Sequence, residues 1–287
     1  MLGGRPLIET GELEMQLGDP ELRVFDCSVG IEIGPAGVSF ESGREAWARA
    51  HIPGAGFLDL LEELAAPHAE LHFMLPSAEQ FSEAMSAHGV ADGARVVLYD
   101  GQNGSWAARV WWMLRAYGFD DAVVLNGGWT KWTREARKTS GAAPSHLRAR
   151  FIARPRPGVF VGKEAVLAGI ADSETCLING LPKPLHRGLG PVVSGRRPGH
   201  IPSSENVPAD SLVDPETRAF LPEDELRRVL ERAGALRAEH VITYCGGGIA
   251  ASGVAFALRL LGREDVSVYD ASLEEWSTDP SLPLELG

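Results

Sequence analysis

Val241-Ile-Thr-Tyr-Cys-Gly-Gly-Gly-Ile-Ala-Ala-Ser252 is a run of β-branched and aromatic residues that delivers one cysteine into a triple glycine, followed by an Ala- and Leu-rich stretch ending at Gly262. The pattern predicts a strand, a tight turn and a helix, with Cys245 at the turn. Glycine takes positive φ readily, so Gly246, Gly247 and Gly248 allow successive backbone N–H groups to point at one atom. That atom would be Sγ of Cys245, at a helix N-terminus whose partial positive charge favours an anion. Both effects favour thiolate over thiol, which makes Cys245 the candidate nucleophile. A structural role alone would not explain three glycines in a row, because they cost chain entropy and add no packing.

The same order of elements occurs earlier in the chain. After the turn signal Gly18-Asp-Pro20 comes a strand at Leu22-Arg-Val-Phe-Asp-Cys27, then a polar helix from Glu41 to Ala50 and a short strand after His51-Ile-Pro-Gly. Ser77 caps a helix ending near His88, Arg95 to Tyr99 is a strand, Ser105 to Tyr117 an apolar helix and Ala122 to Leu125 a strand. Strands alternating with helices predict parallel α/β sheets. From Lys138 to Val159 the composition turns to Pro, Gly, Ser and Arg, which reads as a linker with the domain boundary near residue 150. Beyond it the motifs return. His51-Ile-Pro becomes His200-Ile-Pro, Val97-Leu-Tyr-Asp-Gly101 becomes Ile242-Thr-Tyr-Cys-Gly246, and the tryptophan at 132 has its counterpart at 276. The interval is 33 positions from Tyr99 to Trp132 and 32 from Tyr244 to Trp276, so two copies of one unit explain the chain better than two unrelated domains. In the first copy Asp100 stands where the second has Cys245.

Composition bounds the rest. A chain of 287 residues exceeds the usual size of one domain, and a hydrophobic share of 44% suffices for a proper core. A net charge of −12 with a pI near 5.2 argues against nucleic acid or an anionic membrane as partner. The cysteines are Cys27, Cys176 and Cys245, an odd and sparse set that suggests a reducing compartment without a disulfide framework. No basic leader with a long apolar run opens the chain, and no segment approaches the ~18 apolar residues of a membrane span. The expectation is a cytoplasmic protein with no membrane contact. Oligomeric state leaves no mark.

These motifs together resemble the tandem-domain rhodaneses, the thiosulfate and 3-mercaptopyruvate sulfurtransferase family. The resemblance runs from Val24-Phe-Asp26 through His51-Ile-Pro-Gly-Ala55, Ala107-Ala-Arg-Val-Trp-Trp112 and Gly127-Gly-Trp129 to Tyr269-Asp270 and Glu275-Trp276. It implies two rhodanese-like α/β domains, each a mainly parallel sheet flanked by helices. Residues 1–150 would form a catalytically silent domain and residues 151–287 the catalytic one. It implies further an active loop of Cys245, Gly246, Gly247, Gly248, Ile249 and Ala250, and a persulfide on Cys245 that carries sulfur from a small donor to a thiol, cyanide or a thioredoxin-like acceptor. No metal and no organic cofactor is implied.

Within the family the loop is neutral, which places it closer to the mercaptopyruvate enzymes, yet Gly247 stands for their relay serine and Ala250 for their closing threonine. Asn179 and Leu273 also depart from the usual supporting shell. Arg187 and Arg196 fall where the mercaptopyruvate enzymes bind the substrate carboxylate, and a guanidinium can pair bidentately with such a group. Asp59 and His72 resemble the first-domain Asp and His that approach the site across the cleft. Each of the four has a plain alternative as a surface arginine, a strand-end carboxylate or a loop histidine. Arg109 reads as a structural ion-pair residue, Trp111 and Trp112 as core, and Cys27 and Cys176 as inert buried thiols. The expectation is a sulfurtransferase favouring 3-mercaptopyruvate over thiosulfate. A persulfide carrier or regulatory module is the alternative. A cysteine phosphatase would need an arginine closing a longer loop, and none occurs between Gly246 and Ser252.

Overall fold

Each half of the chain lays its β-branched runs side by side in a five-stranded parallel sheet. The computed structural model describes residues 5–34, 37–144, 146–190 and 196–287. The first half runs β1 (Leu7–Ile8), α1 (Thr10–Gln16), β2 (Leu22–Asp26), β3 (Val29–Gly34), β4 (Gly37–Ser42), α2 (Arg44–Arg49), β5 (Gly56–Phe57), α3 (Ala78–Ala87), β6 (Arg95–Tyr99), α4 (Ser105–Ala116), β7 (Ala122–Leu125) and α5 (Gly128–Arg134). The second runs β8 (Phe160–Val161), α6 (Lys163–Ile170), β9 (Thr175–Asn179), α7 (Lys183–His186), β10 (Ser204–Asn206), a 3₁₀ turn (Ala209–Leu212), α8 (Glu223–Arg232), β11 (His240–Tyr244), α9 (Ile249–Leu260), β12 (Val266–Tyr269) and α10 (Ser272–Trp276).

The sheet orders are β1-β7-β6-β2-β5 and β8-β12-β11-β9-β10, one topology used twice. The central strands β6 and β11 are almost continuously apolar and buried, as a parallel strand covered on both faces must be. The repeated motifs lock each unit in the same way. Tyr99 Oη accepts the N–H of Ile52 at 3.4 Å, and Tyr244 Oη that of Ile201 at 3.0 Å. The indoles of Trp132 and Trp276 donate to the carbonyls of Lys138 (2.9 Å) and Pro283 (2.8 Å), so each unit's last helix is tied to the chain that leaves it.

One element differs from expectation. Residues 37–42 form β4, paired antiparallel with β3, and the helix expected from Glu41 begins only at Arg44. Apolar and polar residues alternate through Val38-Ser-Phe-Glu41, a period of two that suits a strand. The stretch around the proposed boundary at residue 150 is an extended strap bonded to the first unit: Phe151 N–H donates to Ser86 Oγ, Ala153 N–H to Ser82 Oγ and Arg154 N–H to the Tyr117 carbonyl.

The two units share one hydrophobic core, centred where α4 crosses α9. A Cβ on Gly253 would lie 2.4 Å from Ser105 Oγ, so only glycine permits this approach. Trp112 Nε1–H donates to the Ser252 carbonyl at 3.2 Å, and Trp111 stands edge-on to Phe256. Beside them lies a buried interdomain ion pair. Arg109, fully buried, donates to Asp270 Oδ1 at 2.5 Å and to the Phe73 carbonyl at 2.6 Å. This crossing fixes the cleft between the units.

Candidate active site

Strand β11 ends at Tyr244 and α9 begins at Ile249, so Cys245 and its glycines turn the chain between them. Gly248 has φ +82°, and a Cβ there would meet the Asp270 carbonyl at 2.7 Å and Arg109 Nη1 at 3.1 Å. Conformation and space both demand glycine. The β12–α10 turn braces the loop from behind: Cys245 N–H donates to Ser272 Oγ at 3.0 Å, while Leu273 and Glu274 donate their N–H groups to the carbonyls of Cys245 (3.0 Å) and Gly246 (2.8 Å). The N–H groups from Gly246 to Ala251 have no acceptor among the described residues.

The first unit provides an internal control. Asp100 ends its strand as Cys245 does, and Gly104 precedes α4 with φ +79°, matching Gly248. The Asp100 carboxylate collects the N–H groups of Gln102, Gly104, Trp106 and Ala107 at 2.8–3.1 Å. Burial pushes its carboxyl above the ordinary range, opposed by those four donors. In the first unit this loop converges backbone donors on a side-chain carboxylate; the second unit repeats the turn with a cysteine at the equivalent position.

Cys245 is only 2% exposed and lies in a cavity of about 840 Å³ walled by both units. Gly246, Gly247, Ile249 and Ala250 line it too, whereas Gly248 faces back against Asp270 and Arg109. His72 and Arg196 reach the cavity from opposite units and meet on one carboxylate that the sequence did not single out, that of Glu274. Its Oε1 accepts His72 Nδ1–H at 2.7 Å and pairs with Arg196, and its Oε2 accepts the His72 backbone N–H at 3.0 Å. The Glu274 side chain is 6% exposed, with Oε2 3.3 Å from where a Cβ on Gly247 would stand. Because the carboxylate accepts at Nδ1, the lone pair of the half-exposed His72 ring lies on Nε2. Glu274 opens a short helix, where an acidic residue reads as ordinary first-turn charge, and no local signal marks it.

Asp59 and Arg187 are not brought to this cavity. Asp59 is buried in its own unit, accepting from Ser42 Oγ (2.7 Å) and the Leu61 N–H (2.9 Å), so it caps a turn. Arg187 caps the four-residue α7 and is exposed outside the lining. Arg197, next to Arg196, is taken up by the carbonyls of Trp276, Ser277, Asp279 and Leu282. Burial pushes the Cys27 thiol well above its usual value and that of Cys176 up to about 11, so neither is a thiolate near neutrality. Among the described residues no group of three or more His, Cys, Asp or Glu could hold a metal ion. No helix of the described residues is long and apolar enough to cross a membrane.

The model of the rhodanese-like domain matches twice, over residues 10–135 and 196–279. The chain belongs to the rhodanese family. A thiosulfate/3-mercaptopyruvate sulfurtransferase of Arabidopsis thaliana is 31% identical over 97% of this chain and 86% of its own length. Among solved structures, SseA from Escherichia coli, described as a 3-mercaptopyruvate sulfotransferase, superposes with a TM-score of 0.82 at 28% identity, covering 93% of this chain and 98% of SseA. EanB in complex with ergothioneine superposes with a TM-score of 0.79 over 93% of this chain; the chain spans 64% of EanB, and at 23% identity the likeness is one of fold. As an enzyme this rhodanese is a sulfurtransferase, and its second unit carries the thiol loop.

Proposed function

We propose that Cys245 carries sulfur as a persulfide, loaded from a small donor and unloaded to a thiophilic acceptor, with 3-mercaptopyruvate preferred over thiosulfate as donor. The observation that carries this reading is the pair of loops. Where Asp100 fills the first cradle with four N–H···O contacts, the second holds Cys245 among unengaged N–H groups. A thiolate and a persulfide anion are the species such donors stabilise.

In the loading step the Cys245 thiolate attacks the donor sulfur. A sulfur–sulfur bond forms, the donor's carbon–sulfur bond breaks, and its electron pair leaves on an enolate that takes a proton to become pyruvate. Gly247 offers no hydroxyl for that proton. The proton comes from the donor's own thiol: His72, steadied by Glu274 at the cavity wall, is the base we assign to take it at Nε2 and return it to the enolate carbon, leaving the persulfide as an anion. Arg196 supplies the cation for the donor carboxylate, in place of Arg187, which is outside the cavity. Asp59 has no direct part in this scheme.

Donor preference follows from charge. The loop contains no cation, and Arg109 lies behind Gly248, turned away and paired with Asp270; the ionisable side chain against the loop's cavity face is the carboxylate of Glu274. A dianion such as thiosulfate meets more repulsion there than a monoanion such as mercaptopyruvate. Intact mass after incubation with each donor separately tests nucleophile and donor together. The wild type should gain one sulfur atom, as should Cys27→Ser and Cys176→Ser, while Cys245→Ser should gain none. Steady-state turnover with a small acceptor separates an enzyme from a carrier. Sulfur uptake by the Cys245 variant would sink the mechanism.

A further inference from the structure

The antiparallel ribbon β3–β4 has two unlike faces. Its register sets Ile31 against Phe40 and Gly30 against Glu41, so Val29, Ile31, Val38 and Phe40 share one face and Glu32, Ser39 and Glu41 the other. The apolar face turns inward over the cleft. Ile31 and Val38 remain 45% and 41% exposed while lining the cavity that holds Cys245. Behind them Phe40 stands edge-on to Phe73 at 4.7 Å, and Phe73 edge-on to Trp106 at 5.1 Å, continuing one apolar wall toward the loop.

That wall has no work to do in loading. Thiosulfate and mercaptopyruvate have five and seven heavy atoms, nearly all polar, and fill on the order of 100 Å³ at interior packing density. The cavity holds about 840 Å³, the range of sites that enclose drug-sized, largely apolar ligands. In a ping-pong cycle the second substrate enters the same cavity after the donor remnant leaves. An apolar wall continuous with the nucleophile therefore belongs to the acceptor, and half-exposed Ile and Val side chains gain burial only when an apolar body covers them. Cyanide, a two-atom ion, would gain nothing from it. A flat protein surface could not reach a cysteine 2% exposed in a concavity.

Resting on the sulfur-transfer reading above, we propose that the acceptor is a small-molecule thiol with a branched-aliphatic or aromatic body, bound by the β3–β4 ribbon and the Phe40–Phe73–Trp106 wall. The acceptor thiolate, its proton released to solvent, attacks the outer sulfur of the Cys245 persulfide. A bond forms between acceptor and transferred sulfur, the bond to Sγ breaks, and its electron pair returns to Cys245 as thiolate. No oxidant or reductant is consumed.

The test separates the two halves of the cycle. Cys245 is loaded with mercaptopyruvate, the donor is removed by desalting, and persulfide loss is followed by rapid quench and intact mass. The acceptors are 2-phenylethanethiol, 3-methylbutane-1-thiol, 2-mercaptoethanol and a reduced thioredoxin, with thiol rates corrected for thiolate fraction. The two apolar thiols should discharge the persulfide at least tenfold faster than 2-mercaptoethanol. Ile31→Ser/Val38→Ser should cut that advantage about five- to tenfold and leave both loading and the 2-mercaptoethanol rate unchanged; Val38→Ser alone should show part of the effect. Equal rates for all thiols would overturn the proposal, as would a variant that slows loading as much as discharge, or thioredoxin outpacing every thiol regardless of the ribbon. Failure to load Cys245 at all would remove the sulfur-transfer reading itself, a distinguishable result that takes this inference with it.

Discussion

Glu274→Gln is the substitution that most directly probes donor choice. It keeps the shape of the side chain whose carboxylate lies beside Gly247, and removes its charge. At a separation on the order of 6 Å and an effective dielectric of about 20 to 40, one unit of donor charge feels that carboxylate by roughly 1.4–2.8 kcal/mol. Arg196 and His72 share the carboxylate, so we take about half, near 1 kcal/mol per unit charge. Thiosulfate carries one unit more than mercaptopyruvate. The ratio of kcat/KM for thiosulfate to that for mercaptopyruvate should therefore rise about five- to tenfold in the variant. The glutamine oxygen can still accept from Arg196 and His72 Nδ1, while its amide faces the His72 N–H, which costs about 1 kcal/mol of stability. A thermal melt checks that cost separately. Initial-rate kinetics with both donors at fixed acceptor, at low and high salt, give the answer. An unchanged ratio, or one that moves toward mercaptopyruvate, would refute the assignment of donor preference to charge while leaving Cys245 untouched.

Three further outcomes are expected. Arg187→Ala should leave KM for mercaptopyruvate within twofold of wild type, whereas Arg196→Ala should raise it several-fold more than it lowers kcat, because Arg196 lines the cavity and Arg187 does not. Gly253→Ala should cost ~1–3 kcal/mol through its collision with Ser105; Ser105→Ala, which also removes a buried hydroxyl without a partner, should restore most of that in the double variant, measured by denaturant unfolding. Burial pushes the Asp26 carboxyl up to about 6 from an ordinary 3.8, so the folded chain keeps a proton that the unfolded chain has released; the stability so gained is full below the unfolded value and is lost as pH rises through about 6. Asp26→Asn should flatten stability between about pH 4 and 6 and raise it at pH 7 by up to about 3 kcal/mol, and a melt series without that flattening would contradict this account.

What could be read from the sequence was whatever the backbone enforces locally and the duplication repeats. Strands β6, β7 and β11, the Ser77 cap and the apolar α4 are short-range patterns, and the paired Tyr and Trp positions showed the repeat because each pins the same turn in both units. The β3–β4 ribbon was legible in principle, since Val38 and Phe40 alternate with Ser39 and Glu41, but the acidic residues beyond it drew the reading toward a helix. Charge partners were a different matter. His72 and Glu274 are 202 positions apart and Arg109 and Asp270 are 161 apart, so no window of sequence holds both members of either pair. Asp59 shows the reverse error. A carboxylate at a strand end has local N–H donors within three residues, and those donors hold it in its own unit.

The proposed division, with Cys245 reactive and Asp100 not, has its physical basis in the duplication. The same turn chemistry was built twice, and the two copies treat their cradles of N–H groups differently: one set is bonded within the protein and the other opens onto the cavity. Asp100 fills the first permanently with its own carboxylate, which satisfies the loop and leaves no room for a substrate anion. Cys245 is one atom shorter in reach and brings a single acceptor, so its donors stay available for a sulfur that comes and goes. The first unit is thereby free to supply the far wall of the cleft, through His72, the aromatic cluster and the β3–β4 ribbon. On the proposed mechanism, reaction and recognition are divided between two copies of one fold, and the α4–α9 crossing that forbids a side chain at Gly253 holds the copies in register.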